Sequence, residues 1–172
     1  MKKFHILFIT LFFTASINSV FAQKCKVTKD PITGEKVVSA GNGSIYFEAK
    51  GGKIKYDLGL QFNEQLTGSF DKGTEVIIKL VSGEIIKLYT SSETKPSTQV
   101  YANQYAAGII TFYSLSFELE KQVVNQLSKA KIEMIRFPDG KGKTVDVMGN
   151  SRYGKRYVKA TLKGALFVLK NI

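Results

Sequence analysis

The stretch Arg152-Tyr153-Gly154-Lys155-Arg156-Tyr157, followed by Lys159 and Lys163, offers a ligand more than any other part of this sequence. Guanidinium forks bind phosphate or carboxylate at two points, and tyrosine faces stack on bases or sugars. Arg152, Lys155, Arg156, Lys159 and Lys163 recur at helical spacing, with Tyr153 and Tyr157 between them. All three arginines of the chain lie in its last 37 residues. Lys141 and Lys143 could add to the same field. Arg152, Tyr153, Lys155, Arg156, Tyr157, Lys159 and Lys163 therefore form the candidate binding set for an anionic partner. A plainer reading uses the same residues: an amphipathic helix with a solvated basic face and both tyrosines in its apolar flank.

Catalysis has much less to work with. The one histidine is His5, and the one cysteine is Cys25. His5 falls within an expected N-terminal leader, and its removal leaves no histidine for a Ser-His-Asp or Cys-His site, or for a His-ligated zinc or iron. No lysine stands at a recognised spacing from a serine nucleophile. Asn42-Gly43-Ser44 and Asp139-Gly140-Lys141-Gly142 read as ordinary turns rather than phosphate loops. Paired carboxylates are the remaining acid–base option. Glu118 and Glu120 are two apart on an expected helix and point away from each other. Glu48 and Asp57 fall diagonally on one hairpin face, but Lys55 lies between them and suggests an ion pair. No catalytic residue, metal ligand or cofactor is assigned.

The N-terminus speaks to compartment. Met1-Lys2-Lys3, the apolar run Phe4 to Phe13 and the ending Val20-Phe21-Ala22 form the pattern of a secretory signal peptide. The expectation is a leader over residues 1–22 and a single exported domain over 23–172, periplasmic or extracellular. Its loss would remove His5. One cysteine allows no internal disulfide. Cys25 could pair with another chain, carry a lipid or remain a plain thiol. Lys24 disfavours lipidation, which wants a small residue there.

The formal net charge is +11. Lys2 and Lys3 sit in the leader, which leaves +9. Residues 23–120 carry 11 basic and 11 acidic side chains, whereas residues 121–172 carry 12 and 3. This asymmetry bears on partners rather than on fold.

The elements that must position these residues are largely strands. Asp30-Pro31-Ile32-Thr33-Gly34 is turn chemistry, and Glu35 to Ala40 reads as a strand. Lys50-Gly51-Gly52-Lys53 signals a two-residue hairpin. With Lys50 opposite Lys53, Ala49 meets Ile54, Phe47 meets Tyr56 and Ile45 meets Leu58 on one apolar face. Glu48 meets Lys55 and Tyr46 meets Asp57 on the other, which should be wet. Leu60 and Phe62 continue the apolar row. Turn and alternation demand the same register.

A second hairpin joins Glu75–Val81 to Glu84–Thr90 through Ser82-Gly83. A two-residue turn there gives no clean face, which implies a sheet covered on both sides; a longer turn would change the register. Ser91–Thr98 reads as a polar loop and Gly108–Leu115 as a strand. Ser116 is a candidate cap for a helix over 117–128 with Leu119, Val123 and Leu127 as its buried stripe. Lys131–Phe137 and Thr144–Met148 read as strands around a turn at Pro138–Gly142. Ser151 caps a last helix whose apolar face holds Tyr157, Thr161, Leu162, Ala165, Leu166 and Leu169. Gly154 and Gly164 weaken that helix.

Strands early and helices late point to an α+β fold: an antiparallel β-sheet built from hairpins with two late α-helices packed on it. The alternative is a β-sandwich in which the last segment is a strand.

The segment Cys25-x4-Asp30-Pro31-x-Thr33-Gly34-Glu35-Lys36 behind a signal peptide resembles the start of a group of small exported bacterial proteins without assigned activity. Ser116 onward, with Ile132-x-x-Ile135-Arg136, is similar to their later part. The resemblance covers about a third of the chain, implies a single exported α+β or β-rich domain, and adds no catalytic residue or ligand.

Two functional expectations follow. The first is an exported, non-enzymatic binding module for an anionic surface or polymer of the cell envelope. Lipopolysaccharide, phospholipid head groups and acidic polysaccharide all qualify. The second is a histidine-free hydrolase using carboxylates. A deep pocket joining two acids would favour the second.

Overall fold

The computed structural model describes residues 24–102, 107–139 and 141–172. The expected leader lies outside them. Among the described residues, ten strands and two helices follow in chain order: β1 Lys24–Lys29, β2 Lys36–Gly41, β3 Ile45–Lys50, β4 Lys53–Phe62, β5 Glu75–Leu80, β6 Ile85–Tyr89, β7 Ser97–Ala102, β8 Ala107–Leu119, α1 Lys121–Lys129, β9 Ile132–Pro138, β10 Thr144–Met148 and α2 Gly154–Asn171. All pairings are antiparallel. They build a six-stranded sheet in the order β1-β2-β3-β4-β8-β7 and a four-stranded sheet in the order β10-β9-β5-β6. With both helices late and packed on sheet, the fold is α+β. The last segment is helical, so the sandwich alternative with a terminal strand does not hold.

The β3–β4 hairpin anchors the larger sheet. Gly51 and Gly52 take φ of 55° and 78°, the paired positive values of a type I′ turn. The register is the one the sequence demands, from Lys50 opposite Lys53 to Ile45 opposite Leu58. Phe47 and Tyr56 are fully buried, with ring centroids 4.6 Å apart. Leu60 is buried and Phe62 half-buried, so the apolar row runs the length of β4.

The second hairpin departs from the two-residue reading. Its loop is Val81-Ser82-Gly83: the Gly83 N–H donates to the Leu80 carbonyl at 2.9 Å, and the Leu80 N–H donates to the Glu84 carbonyl at 2.9 Å. Gly83 has φ of 88°, the left-handed residue a three-residue hairpin loop needs. One added residue flips one strand against the other, so Val76, Ile78, Leu80, Ile86 and Leu88 all share the buried face. The sheet is therefore covered on one side only. Its outer face holds Lys87 paired with Glu75 at 3.0 Å and Lys79 paired with Glu133 at 3.1 Å.

The expected cap at Ser116 is also corrected. Strand β8 runs on to Leu119, with Thr111, Tyr113, Leu115, Phe117 and Leu119 buried at period 2 and paired against β4. Ser116 donates its hydroxyl to Asp57 at 2.6 Å instead of capping. The helix begins at Lys121 and buries Val124, Leu127 and Ser128, while Leu119 belongs to the strand. Cross-strand pairing along thirteen residues outweighs a local capping preference. Two exposed edge strands were not anticipated: β1, a lysine-rich edge carrying the exposed free thiol of Cys25, and β7, which occupies the end of the expected polar loop.

The last helix starts as expected. The Ser151 hydroxyl accepts from the Gly154 N–H at 3.0 Å, and its carbonyl accepts from the Lys155 N–H at 3.0 Å. Its buried face is narrower than the sequence reading: Gly154, Ala160, Thr161, Gly164, Ala165 and Val168 are inside, while Leu166 is 50% exposed. Small residues bring α2 close to β2 and β3, with α1 alongside. Gly164 thus lies in the contact. The Tyr56 and Thr161 hydroxyls share a buried hydrogen bond at 3.2 Å that ties helix to sheet. Both sheets and both helices contribute to one hydrophobic core. Among the described residues, no helix is long and apolar enough to cross a membrane.

Phe47→Ala is expected to destabilise the fold by about 3–5 kcal/mol, since a fully buried ring is replaced by a cavity. Urea titration checks this, and a loss under about 1 kcal/mol would contradict the burial. The turn at Asp30 yields a pH prediction. The Lys50 ammonium at 2.5 Å, helped by the Ile32 and Thr33 amides, holds the Asp30 carboxyl well below the usual carboxylate range. A carboxyl depressed on folding stabilises above its unfolded value, near pH 4, and that contribution disappears as pH falls through the folded value. Asp30→Asn is expected to lower stability at pH 7 and to flatten its decline below about pH 4, read from urea midpoints across the acid range.

Candidate functional site

The cleft beside α2 is built by a mismatch in strand length. Pairing of β3 with β4 stops at Ile45 opposite Leu58, but β4 continues to Phe62. Over Gly59–Phe62 it keeps only β8 as a strand partner. The turn Asn42-Gly43-Ser44 closes one end of that free edge, where the Gly59 N–H donates to the Ser44 carbonyl at 2.7 Å. Helix α2 crosses the same edge: the Tyr157 hydroxyl donates to the Gly59 carbonyl at 2.7 Å. Burial pushes the Tyr157 phenol up, which keeps it a neutral donor. The result is a cleft of about 1010 Å³ between α2, the end of β4 and strands β9 and β10.

Four cations line it: Arg156, Lys159 and Lys163 from α2 and Lys95 from the segment before β7. Positions 156, 159 and 163 lie on one helical face. No aspartate or glutamate is among its lining residues. Among the described residues, Lys95, Lys159 and Lys163 have no carboxylate within ion-pair distance. Tyr153 and Tyr157 stand on the same wall, and Asn42, Gln61 and Asn63 offer amides opposite. Such an arrangement can neutralise an anion and hydrogen-bond its oxygens.

The structure thus divides the sequence-derived set. Tyr153, Arg156, Tyr157, Lys159 and Lys163 come together at the cleft, while Arg152 and Lys155 are exposed residues outside its lining. Lys141 contacts Glu64, and neither it nor Lys143 lines the cleft. Lys95 and the three amides were missed. They lie 68 to 121 residues before Lys163 in the chain, and no spacing rule connects them.

A second cleft, about 840 Å³, surrounds the Gly51-Gly52 turn. Glu35, Glu118 and Glu120 line it, interleaved with Lys36, Lys50, Lys53 and Lys121. Strand residue Glu118 stands opposite Lys55 rather than in a helical first turn. Glu48 and Asp57 share a face but have separate partners: Glu48 accepts from Tyr46 at 3.0 Å, and Asp57 pairs with Lys55 at 3.2 Å. The carboxyls whose ionisation is clearly shifted, Asp30, Glu75, Asp139 and Asp146, are all held low by lysine, arginine or backbone donors. A proton-donating acid requires the opposite direction. Among the described residues, no three His, Cys, Asp or Glu side chains gather as a metal site.

No protein-family model, curated protein or solved structure matches this chain.

The Tyr157 hydrogen bond clamps α2 to the β4 edge and gives a direct test of the cleft wall. Tyr157→Phe removes the donor and leaves the Gly59 carbonyl without it. The expected loss is about 1 kcal/mol in urea-derived stability, the ordinary net worth of one such bond. A variant as stable as the parent would mean that the clamp does not form.

Proposed function

We propose that this chain is an exported, non-enzymatic binding module whose ligand is an anionic component of the cell envelope, held in the cleft beside α2. One observation carries the reading: four cations line a sizeable concave site that has no acid in its lining. Clefts of roughly 300–1,000 Å³ are the usual size for specific ligands. A field of one sign between low-dielectric walls is focused and draws in the opposite charge. The signal-peptide pattern of residues 1–22 supports the exported part of this reading, in the periplasm or outside the cell.

The test uses inositol hexakisphosphate as a compact anionic probe, with calorimetry at two salt concentrations. Binding is expected to weaken steeply between 50 and 300 mM salt, because the screening length shrinks from about 14 Å to about 6 Å over this range. Lys159→Gln with Lys163→Gln is expected to reduce affinity at least about tenfold, the effect of losing roughly 1.4 kcal/mol. Arg152→Gln with Lys155→Gln should change it little, and neither pair should move the melting temperature much, since exposed charges contribute little to stability. Equal loss from both pairs would make the basic face a diffuse solvated surface, and binding indifferent to salt would sink the reading.

A further inference from the structure

The floor of this cleft says more about the ligand than its rim does. Phe62 is half-buried and stands edge-on to two rings, with centroids 5.9 Å from Tyr113 and 6.2 Å from Phe137. Val145 and Val147 point to the same floor from β10, an edge strand, and both stay half-buried against the core. A purely ionic site has no use for aromatic and branched side chains at its base. Left open to water, they forgo burial free energy that a ligand with an apolar body would recover.

Resting on the anion-binding reading above, we propose that the ligand is a single-chain anionic lipid. Its acyl or alkyl chain lies on Phe62, Phe137, Val145 and Val147, and its phosphate or carboxylate head meets Lys159, Lys163 and Lys95 at the rim. Charge complementarity argues for the head, and the half-buried floor argues for the chain. The two features share one cleft, so one amphiphile satisfies both. Neutral lipids lack the charge for the rim. Sugar phosphates and inorganic anions lack the chain for the floor.

The experiment is a chain-length ladder on the unaltered protein, by calorimetry with butyl, octyl and decyl phosphate below their micelle-forming concentrations. Inorganic phosphate and octyl glucoside serve as head-only and chain-only probes. Affinity is expected to rise by up to about fourfold for each methylene that reaches the floor. Octyl glucoside should bind at least about tenfold more weakly than octyl phosphate, the cost of losing the charged head. Val145→Thr with Val147→Thr should weaken decyl phosphate about tenfold and butyl phosphate much less, through polar groups placed under the chain, with an unchanged circular-dichroism spectrum as proof of an intact fold. Decyl phosphate no tighter than butyl phosphate overturns the lipid assignment, and does so while salt-sensitive hexakisphosphate binding leaves the anion site standing. Octyl glucoside equal to octyl phosphate overturns it as well, because the head would then be idle. Loss of binding to every probe overturns both readings together.

Discussion

The phase of strand β4 is the constraint on which the rest of this structure depends. It is paired on both sides, with β3 through a type I′ turn and with β8 along nine residues. In a strand the side-chain period is two, so choosing the face of Tyr56 chooses the face of every residue from Ile54 to Phe62. The same choice sets the buried row of β8, from Thr111 to Leu119. Tyr56 is fully buried, so its hydroxyl must find a partner inside. It finds Thr161, which fixes the rotation and height of α2 on the sheet. Once that helix is placed, Tyr157 reaches Gly59, and Arg156, Lys159 and Lys163 come over the free end of β4. A two-residue glycine turn near the start of the chain thereby decides where the last helix presents its charge.

Electrostatics divides the molecule along the same lines. Acids on the outer faces of the sheets are occupied: Glu75 with Lys87, Glu133 with Lys79, and Asp146 in a two-point contact with Arg136 at 2.6 and 2.7 Å. Asp139 is used locally, accepting from the Lys141 and Lys143 amides at 2.8 and 2.9 Å. Exposed pairs of this kind add little stability, but they consume the few carboxylates of the C-terminal part. Residues 121–172 hold 12 cations and only Glu133, Asp139 and Asp146 as acids. With Glu133 committed to Lys79 on β5, Asp146 to Arg136 on β9 and Asp139 to its own turn, none of the three lines the cleft. The charge asymmetry of the sequence is therefore spatial as well as linear.

Legibility in the sequence followed the range of the interactions. The β3–β4 register could be read because turn type and alternation are both local, and they agree. The β5–β6 register could not, because Val81-Ser82-Gly83 and Ser82-Gly83 are equally good turns until Val76 and Ile86 are seen on the same face. Ser116 is a good cap by residue type and lies in a strand because β4 extends far enough to pair with it, which only the folded sheet shows. Periodicity placed α2 and its cap at Ser151, yet its inner face belongs to Ala160, Gly164 and Ala165 rather than to the leucines. Hydrophobicity ranks leucine above glycine, whereas close approach to a sheet selects the smaller residue.

The binding site was legible only as one wall. A helix exposes its own spacing, so Arg156, Lys159, Lys163 and the two tyrosines could be grouped from the sequence. Their separation from Arg152 and Lys155 could not, because it depends on which side of α2 faces the β4 edge. The opposite wall comes from a β2–β3 turn, the overhang of β4 and the segment before β7, three places far apart in the chain. What joins them is the four residues by which β4 outruns β3. An overhang in an antiparallel sheet leaves a free backbone edge, and free edges invite association with other chains unless something covers them. Here α2 and the Asn42-Gly43-Ser44 turn cover it from two sides and leave a cleft between. The lysines at its rim also repel an incoming strand of another copy, which carries the same charge. One device thus guards the sheet edge and gathers cations over an apolar floor, and the site needs no element beyond those that close the fold.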